Sequence, residues 1–315
     1  MMVAVDAGHG YVKGVSSRGQ RVLMPSLIAP APEMVDLGGL ARSAITTIGS
    51  TAYVVGEAAR QTATPLWSHD KAADDETLNL ILVAAAQLGA SGPTRLATGL
   101  PLAWFGAQRT SFKDALTGFG QTVVTADGVH TKLWFDSVVV LPQGVAASGP
   151  ILTQDQYAPG PYLVADVGYR TTDYIVVTKT DQGLTYDAAA AGSLPLGMHA
   201  VDEKLAQRLS REHQTTFTAA QIAGQPAVVA HGQTWDLTLL RAEQERQVAR
   251  AILQALVEKL DSRMEQVLGL VSVGGGSQVF ASVPHVIVPP EPQWANAQGY
   301  LSAIASVIEM AQQVR

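Results

Sequence analysis

The stretch VAVDAGHGYVKG, residues 3–14, places an acid, glycines and a lysine directly after a short apolar run. The apolar residues predict a first β-strand, and the glycines predict a tight turn because they permit backbone conformations that other residues avoid. Backbone N–H groups around Gly8 and Gly10 could cradle phosphate oxygens, with Lys13 supplying positive charge and Asp6 holding a metal ion. One such loop alone is weak evidence for phosphate binding.

The same pattern returns 160 residues later in VADVGYRTTDY, residues 164–174. Asp166 and Gly168 occupy the positions that correspond to Asp6 and Gly8 in the first stretch, again at the end of a predicted apolar strand. The repeat predicts two related halves, each with an acidic glycine hairpin. A ligand cleft between two such domains is a favoured arrangement for binding sites.

A nucleoside triphosphate with Mg²⁺ fits this set of groups. Asp6 and Asp166 would hold Mg²⁺ through water, because that ion keeps several waters in phosphate sites. Thr171 and Thr172 offer hydroxyls to the phosphates. The sequence LVSVGGGSQ adds bare backbone against which a base or sugar could lie, at Gly274, Gly275 and Gly276. The chain has no GxxxxGK[ST] motif, so the loop is not a Walker loop.

Composition excludes several function classes. The net charge is −6 with 21 lysines and arginines and no basic run, which argues against direct binding to nucleic acid. The absence of cysteine excludes disulfides, thiolate metal sites and cysteine nucleophiles, and is typical of a cytoplasmic protein. No stretch approaches ~18 uninterrupted apolar residues and no signal peptide is recognised, so we expect no membrane association.

Predicted strands alternate with predicted helices, which indicates α/β architecture. A Pro- and Gly-rich stretch near residues 153–161 predicts a domain boundary. The predicted domains are domain I at 1–152, with a small inserted subdomain at about 20–75 and the C-terminal helix 299–315 packing back on it, and domain II at 160–298, with an insertion at about 195–260.

Two further elements are predicted in the second half of the chain. Apolar residues recurring every four positions from Val248 to Met264 predict a long helix near 240–268. The glycine triplet is expected to be followed by the start of a helix. His9 is interpreted as an exposed residue, because it lies in a turn beside glycines. The seven histidines have no HxxxH or HExxH spacing, so no zinc site is expected.

The motifs DAGHGYVKG, YVVGEAA, LPQGVAAS, DVGYRTTDY and ANAQGYL occur in this order over nearly the whole chain. They resemble the superfamily of actin, sugar-kinase and heat-shock-chaperone ATPases, and most of all the plasmid-segregation actin-like proteins (the ParM/StbA group and its archaeal relatives). The resemblance implies an actin-like (ribonuclease H-like) duplicated two-domain fold with a nucleotide cleft between the domains. It further implies a polymerising ATPase, or GTPase, whose filaments of identical copies act on DNA through a DNA-binding adaptor protein.

The resemblance also implies roles for individual residues. Gln143, in LPQG, would orient the attacking water beside the magnesium-side acids Asp6 and Asp166, and either Asp202 or Glu203 would contact ribose. The other nucleotide contacts that it implies are Gly8, Gly10, Tyr11, Lys13, Gly168, Tyr169, Arg170, Thr171, Thr172, Gly274, Gly275, Gly276 and Ser277. Because glutamine is a poor general base, we expect slow hydrolysis, which suits a filament timer.

Some of these assignments have alternatives. Gln143 could instead cap the helix that follows it. Many superfamily members have a further glycine at the position where this chain has Tyr169 and Arg170. A side chain at this position could narrow the phosphate loop or contact the γ-phosphate. Arg170 could equally form a salt bridge. Asp173 is expected to bond locally to the hairpin backbone. Alternative functions are a small-molecule kinase, which needs a substrate acid that we do not find beyond the magnesium acids, and a cell-shape actin homologue.

Overall fold

The computed structural model describes residues 1–32, 44–60, 62–63 and 70–313. The chain forms two compact units, Met1–Pro150 with Trp294–Arg315 and Ile151–Gln293. Parts of the insertion predicted at about 20–75, and the end of the helix predicted at 299–315, lie outside the described residues.

A mixed sheet organises the first unit, and nine strands of the described residues belong to it. They are β1 (Met2–Ala7), β2 (Tyr11–Ser16), β3 (Arg21–Pro25), β4 (Ile28–Pro30), β5 (Ile45–Ile48), β6 (Thr51–Val55), β7 (Gly92–Leu100), β8 (Gly120–Val124) and β9 (His130–Pro142). Their order across the sheet is β3-β2-β1-β7-β9-β8-β5-β6-β4. β1 pairs antiparallel with β2 and parallel with β7, so the turn after β1 lies at the sheet edge where parallel strands end.

The second unit repeats this central arrangement. Its main sheet, as far as the structure describes it, has the order β12-β11-β10-β15-β16, with β10 antiparallel to β11 and parallel to β15. A two-stranded sheet, β13 with β14, accompanies it. The strands are β10 (Gly160–Val167), β11 (Thr172–Thr180), β12 (Gly183–Leu194), β13 (Ala227–Ala230), β14 (Gln233–Asp236), β15 (Leu270–Val273) and β16 (Val286–Ile287). Each unit therefore has a hairpin whose first strand borders a parallel strand.

Helices cover the sheets. Among the described residues they are α1 (Asp75–Gln87), α2 (Leu102–Leu116), α3 (Val145–Leu152), α4 (His199–His213), α5 (Ala219–Ile222), α6 (Thr238–Leu260) and α7 (Ala295–Gln313). None of the helices in the described ranges is both long and apolar enough to cross a membrane.

The first unit has a core on each face of its sheet. Along β1, Val3 and Val5 join the core formed with α1, whereas the intervening Ala4 joins a second core with Tyr300 of α7. Successive side chains of a strand point to opposite faces, so one buried strand serves both layers. α7 lies close to its neighbours: a Cβ on Gly299 would come within 2.0 Å of the carbonyl oxygen of Ala146.

In the second unit, two helices predicted from the sequence differ from the structure. α6 ends at Leu260, because Asp261 takes a positive φ of 47° and starts a 3₁₀ turn, so the prediction of a helix extending to about residue 268 is wrong. The turn contains Met264, which still packs against the core. After the glycine triplet the chain makes a short 3₁₀ turn, Ser277–Phe280, instead of starting an α-helix.

Candidate functional site

The first hairpin brings Asp6 and Lys13 together. The two residues are cross-strand partners in β1 and β2, and Lys13 Nζ lies 3.1 Å from Asp6 Oδ2. Both side chains are largely buried, at 4% and 13% exposure, so solvent screens this ion pair less than a surface pair. Gly8 makes room for it, because a Cβ at Gly8 would lie 3.1 Å from Lys13 Nζ. The turn thus presents a held ammonium group beside backbone N–H groups.

Gln143, the residue directly after β9, also contacts Asp6. Its Nε2 donates to Asp6 Oδ1 at 2.9 Å, and the side chain is buried. An ionised carboxylate only accepts hydrogen bonds, so the amide must present its nitrogen to Asp6. The amide oxygen is then left to accept a hydrogen from another group.

Two residues that the sequence analysis missed hold these loops in place. Ser26 donates its hydroxyl to the carbonyl of Gly8 at 2.5 Å, and its own N–H bonds to the carbonyl of Gly10 at 3.0 Å. Asn296, at the start of α7, accepts from the N–H of Gly144 at 2.9 Å. Gly144 has a φ of 74°, which permits the turn directly after Gln143. The motif ANAQGYL was a signal for Asn296, whereas no local signal marks Ser26.

His9 lies in the first turn but is not an exposed residue, so that interpretation is wrong. Its side chain is half-buried, and its ring meets Trp104 of α2 edge-on with 5.7 Å between ring centroids. Edge-to-face packing of this kind stabilises aromatic pairs. Tyr11, the first residue of β2, is 36% exposed.

The second hairpin carries an acid where the first carries its lysine. Asp166 faces Asp173 across β10 and β11, in the register that pairs Asp6 with Lys13. Asp173 accepts a hydrogen bond from the hydroxyl of Ser193 on β12, and the local bond to the hairpin backbone stays a prediction. Two carboxylates directly opposite each other repel, and carboxylate oxygens are the ligands that Mg²⁺ prefers.

The glycine triplet packs against the same hairpin. Gly274 has a φ of 88°, and a Cβ there would come within 2.3 Å of Asp166 Oδ1. A Cβ on Gly276 would lie 2.6 Å from Met198, whereas Gly275 has open space around it. Ser277 is fully buried and donates its hydroxyl to the carbonyl of Gly274 at 2.9 Å. Ser277 therefore shapes the loop, and Gly275 provides the bare backbone surface.

Three of the four residues after Gly168, namely Tyr169, Arg170 and Thr172, have different environments. Tyr169 is half-buried and its hydroxyl lies 3.1 Å from Nδ1 of His199, while the Arg170 guanidinium lies 5.9 Å from the centroid of the Tyr169 ring. Burial raises the pKa of Tyr169, and the nearby carboxylate of Asp202 adds to this. Thr172 is fully buried and donates its hydroxyl to the carbonyl of Leu196 at 2.8 Å, so that hydrogen is not available to a phosphate.

The two ribose candidates are also distinguished. Asp202 is buried and accepts from Arg241 at 2.7 Å; burial raises its pKa, and the Arg241 guanidinium partly offsets this. Glu203 is 55% exposed and pairs with Nε2 of His199 at 3.1 Å. Burial lowers the pKa of His199, and the positive charge of Arg170 lowers it further. Asp202 is thus committed to Arg241, and Glu203 keeps an accessible carboxylate.

The predicted site residues therefore form one group in each unit. The first contains Asp6, Gly8, Gly10, Lys13 and Gln143, and the second contains Asp166, Gly168, Tyr169, Gly274, Gly275 and Gly276. No cluster of three or more His, Asp and Glu side chains suited to a metal ion occurs within the described ranges. Mg²⁺ in phosphate sites is bound by one or two carboxylates with waters and phosphate oxygens, so the acids present fit that ion.

Sequence profiles of known families match both units. The profile described as the N-terminal domain of actin-like proteins matches residues 4–145. The profile described as the C-terminal part of the archaeal MreB-like actin homologue matches residues 164–283. The chain therefore belongs to the actin-like protein family, as its motifs predicted.

Two archaeal proteins are similar over nearly their full length. The archaeal actin homolog of Thermoplasma acidophilum is 26% identical over 322 residues, covering 96% of this chain and 98% of the relative. The homolog of Thermoplasma volcanium is 26% identical over 323 residues, with the same two coverages.

Solved structures confirm the predicted actin-like α/β fold. A ParM filament from Clostridium botulinum matches with a TM-score of 0.83 and 20% identity, covering 96% of this chain and 98% of that one. The archaeal actin homolog Ta0583, solved in complex with ADP, matches with a TM-score of 0.80 and 24% identity, covering 97% and 99%. At these identities the likeness establishes the fold.

Proposed function

We propose that this chain is a polymerising actin-like ATPase whose filaments move or position DNA, with plasmid segregation as their task. The observation that carries the proposal is the buried group of Asp6, Lys13 and Gln143, in which the Asp6 carboxylate accepts hydrogen bonds from the Lys13 ammonium of the first hairpin and from the Gln143 amide after β9. The ParM relative solved as a filament and the Ta0583 relative solved with ADP support it.

Gln143 orients the attacking water in this proposal. Its Nε2 is engaged by Asp6 at 2.9 Å, so Oε1 accepts a hydrogen from the water and fixes its direction. Phosphoryl transfer depends mainly on positioning and charge stabilisation, so an orienting amide is chemically adequate. It is a weak base, and hydrolysis is therefore slow.

In this proposal Lys13, Asp6 and Asp166 provide the groups that neutralise the phosphate charge and hold the metal ion. Lys13 stabilises negative charge on the outer phosphates, while Asp6, 3.1 Å away, keeps its ammonium group in position. Mg²⁺, when bound, supplies further neutralisation of phosphate charge. Asp6 and Asp166 would hold that ion through water.

The second hairpin and the glycine triplet receive the rest of the nucleotide. The backbone around Gly168 and the hydroxyl of Thr171 serve phosphates, and the open surface at Gly275 serves the nucleoside. Glu203 is the ribose ligand of this proposal, because Asp202 is buried and held by Arg241.

The partners follow from charge. A net charge of −6 without basic runs disfavours direct contact with DNA, so a DNA-binding adaptor protein links filament to cargo in the cytoplasm. The filament itself consists of copies of this chain.

Sedimentation and phosphate release with Mg²⁺ and either ATP or GTP test the function. We expect nucleotide-dependent pelleting and slow phosphate release from the protein alone. A protein that stays monomeric with both nucleotides contradicts the filament proposal. Nucleotide turnover that requires an added sugar would identify a small-molecule kinase instead.

A further inference from the structure

Lys71 is a buried lysine at the back of the first hairpin. It is 3% exposed, and its Nζ donates to the carbonyl oxygen of Ala7 at 2.5 Å. Ala7 is the last residue of β1, directly before Gly8. Lysine is almost never fully buried unless it is paired, because removing its charge from water is costly. The Ala7 carbonyl is one of the groups that compensate this cost.

A small cavity lies beside this contact. Its volume is about 10 Å³, close to that of a single water site, and its lining includes Lys71, Gly8, Ser26 and Asp74. The Asp74 carboxylate accepts a hydrogen bond from Thr77 at 2.6 Å. Lys71 and residues of the first hairpin thus line the same small cavity, together with the hydroxyl of Ser26 and the carboxylate of Asp74.

Through peptide geometry, the contact of Lys71 with the Ala7 carbonyl also determines the direction of the Gly8 N–H. In a trans peptide the C=O and the following N–H point in opposite directions. Because Lys71 draws the Ala7 carbonyl to the back, the N–H of Gly8 faces away from Lys71. Ser26 orients the next peptide in the same way. Its hydroxyl binds the Gly8 carbonyl, so the N–H of His9 points away from Ser26. Two successive peptides are held with their N–H groups on one side, the arrangement of an anion-binding nest.

We propose that Lys71 is a positioning residue for phosphate binding: it fixes and polarises the Ala7–Gly8 peptide so that its N–H binds a nucleotide phosphate. This rests on the proposed function, in which the first hairpin binds the phosphates of a nucleoside triphosphate. Lys71 acts through the backbone, whereas Lys13 acts on the phosphates directly.

The test compares ATP and adenosine binding, by calorimetry on the full chain with Mg²⁺, for wild type, Lys71→Met and Lys71→Arg. Losing a charge-assisted bond to the peptide should weaken ATP binding about tenfold or more in Lys71→Met and leave adenosine binding within about twofold. Lys71→Arg, which keeps a cationic donor, should restore most of the ATP affinity. Lys132→Met, an exposed site of the same unit, is the matched control.

Equal ATP affinity in wild type and Lys71→Met overturns the proposal. So does an equal loss of ATP and adenosine affinity, which indicates a purely structural role. If Lys71→Met does not fold, Lys71→Gln keeps a donor to the Ala7 carbonyl without the charge, and ATP affinity equal to wild type in that variant also overturns it. A wild-type protein that binds neither ATP nor GTP overturns the proposed function itself, and this inference with it.

Discussion

The side-chain amide of Gln143 donates to the carboxylate of Asp6 across 137 residues of chain. Lys13 takes the other oxygen of the same carboxylate at 3.1 Å. One buried acid therefore fixes both a cation and an amide. Residues that share a partner in this way are energetically coupled, so substitutions among the three are not expected to be additive.

Replacing Gln143 by alanine should slow hydrolysis and leave polymerisation intact. Removing the amide leaves the attacking water without its acceptor, and misplacement of a reacting group costs roughly ten- to a hundredfold in rate. Phosphate release should fall by that factor, and filaments should persist longer after nucleotide is exhausted, as followed by light scattering. Gln182→Ala, at an exposed turn, is the control. Unchanged filament disassembly in Gln143→Ala would count against the water-orienting role.

Replacing Asp166 by alanine should abolish hydrolysis and preserve the fold. The carboxylate is buried and lies opposite Asp173 in the strand register, and in the proposed function it is one of the two acids that hold Mg²⁺. Phosphate release should fall below about one hundredth of wild type, with an unchanged circular dichroism spectrum. Asp181→Ala removes an exposed acid of the same unit for comparison. Wild-type turnover in Asp166→Ala would refute the role of the second hairpin.

The glycine triplet allows a comparison of adjacent positions. Gly274→Ala places a Cβ 2.3 Å from Asp166 Oδ1 at a φ of 88°, so we expect a loss of about 1–3 kcal/mol in the free energy of unfolding and strongly weakened nucleotide binding. Gly275→Ala meets open space, and its unfolding free energy should change by less than about 0.5 kcal/mol. Urea denaturation measures both variants. Equal stability of the two would contradict the packing described for Gly274.

His199 should make the stability of the protein depend on pH. Burial and Arg170 lower the pKa of His199, against the opposing carboxylates of Glu203 and Asp202. The folded chain thus favours neutral imidazole, and this stabilisation is complete above about pH 6.5 and is lost as the pH falls through the lower pKa of the folded state.

The expected result is a fall in unfolding free energy from pH 7.5 to pH 5.5 that is smaller in His199→Gln than in wild type. Urea denaturation at both pH values measures it, with the exposed His130→Gln as the matched substitution. A His199→Gln profile identical to that of wild type would exclude His199 as a source of the pH dependence.

The hairpins could be predicted from sequence because their signals are local. An apolar run, an acid and glycines within a few residues specify strand, turn and strand, and the repeat of Asp6 and Gly8 at Asp166 and Gly168 indicated the duplicated fold. Asp261 marks a limit of such reasoning, because the apolar period continues to Met264 while the backbone already leaves the helix.

The residues that support the site could not be predicted in this way. Ser26, Lys71 and Asn296 each bond to backbone atoms 18, 64 and 152 residues away, so their roles exist only after the sheet and helices have packed. His9 was misinterpreted for the same reason, since its neighbour Trp104 is brought to it by α2. Local patterns identify the residues of the turn, and tertiary packing determines what holds them.

Electron microscopy of the purified protein with and without Mg²⁺ and nucleotide tests the central claim most directly. The account predicts filaments with ATP or GTP that disappear as nucleotide is hydrolysed, and no filaments without nucleotide. A protein that remains as single particles under both conditions, while the same sample binds nucleotide, would contradict a filament-forming role.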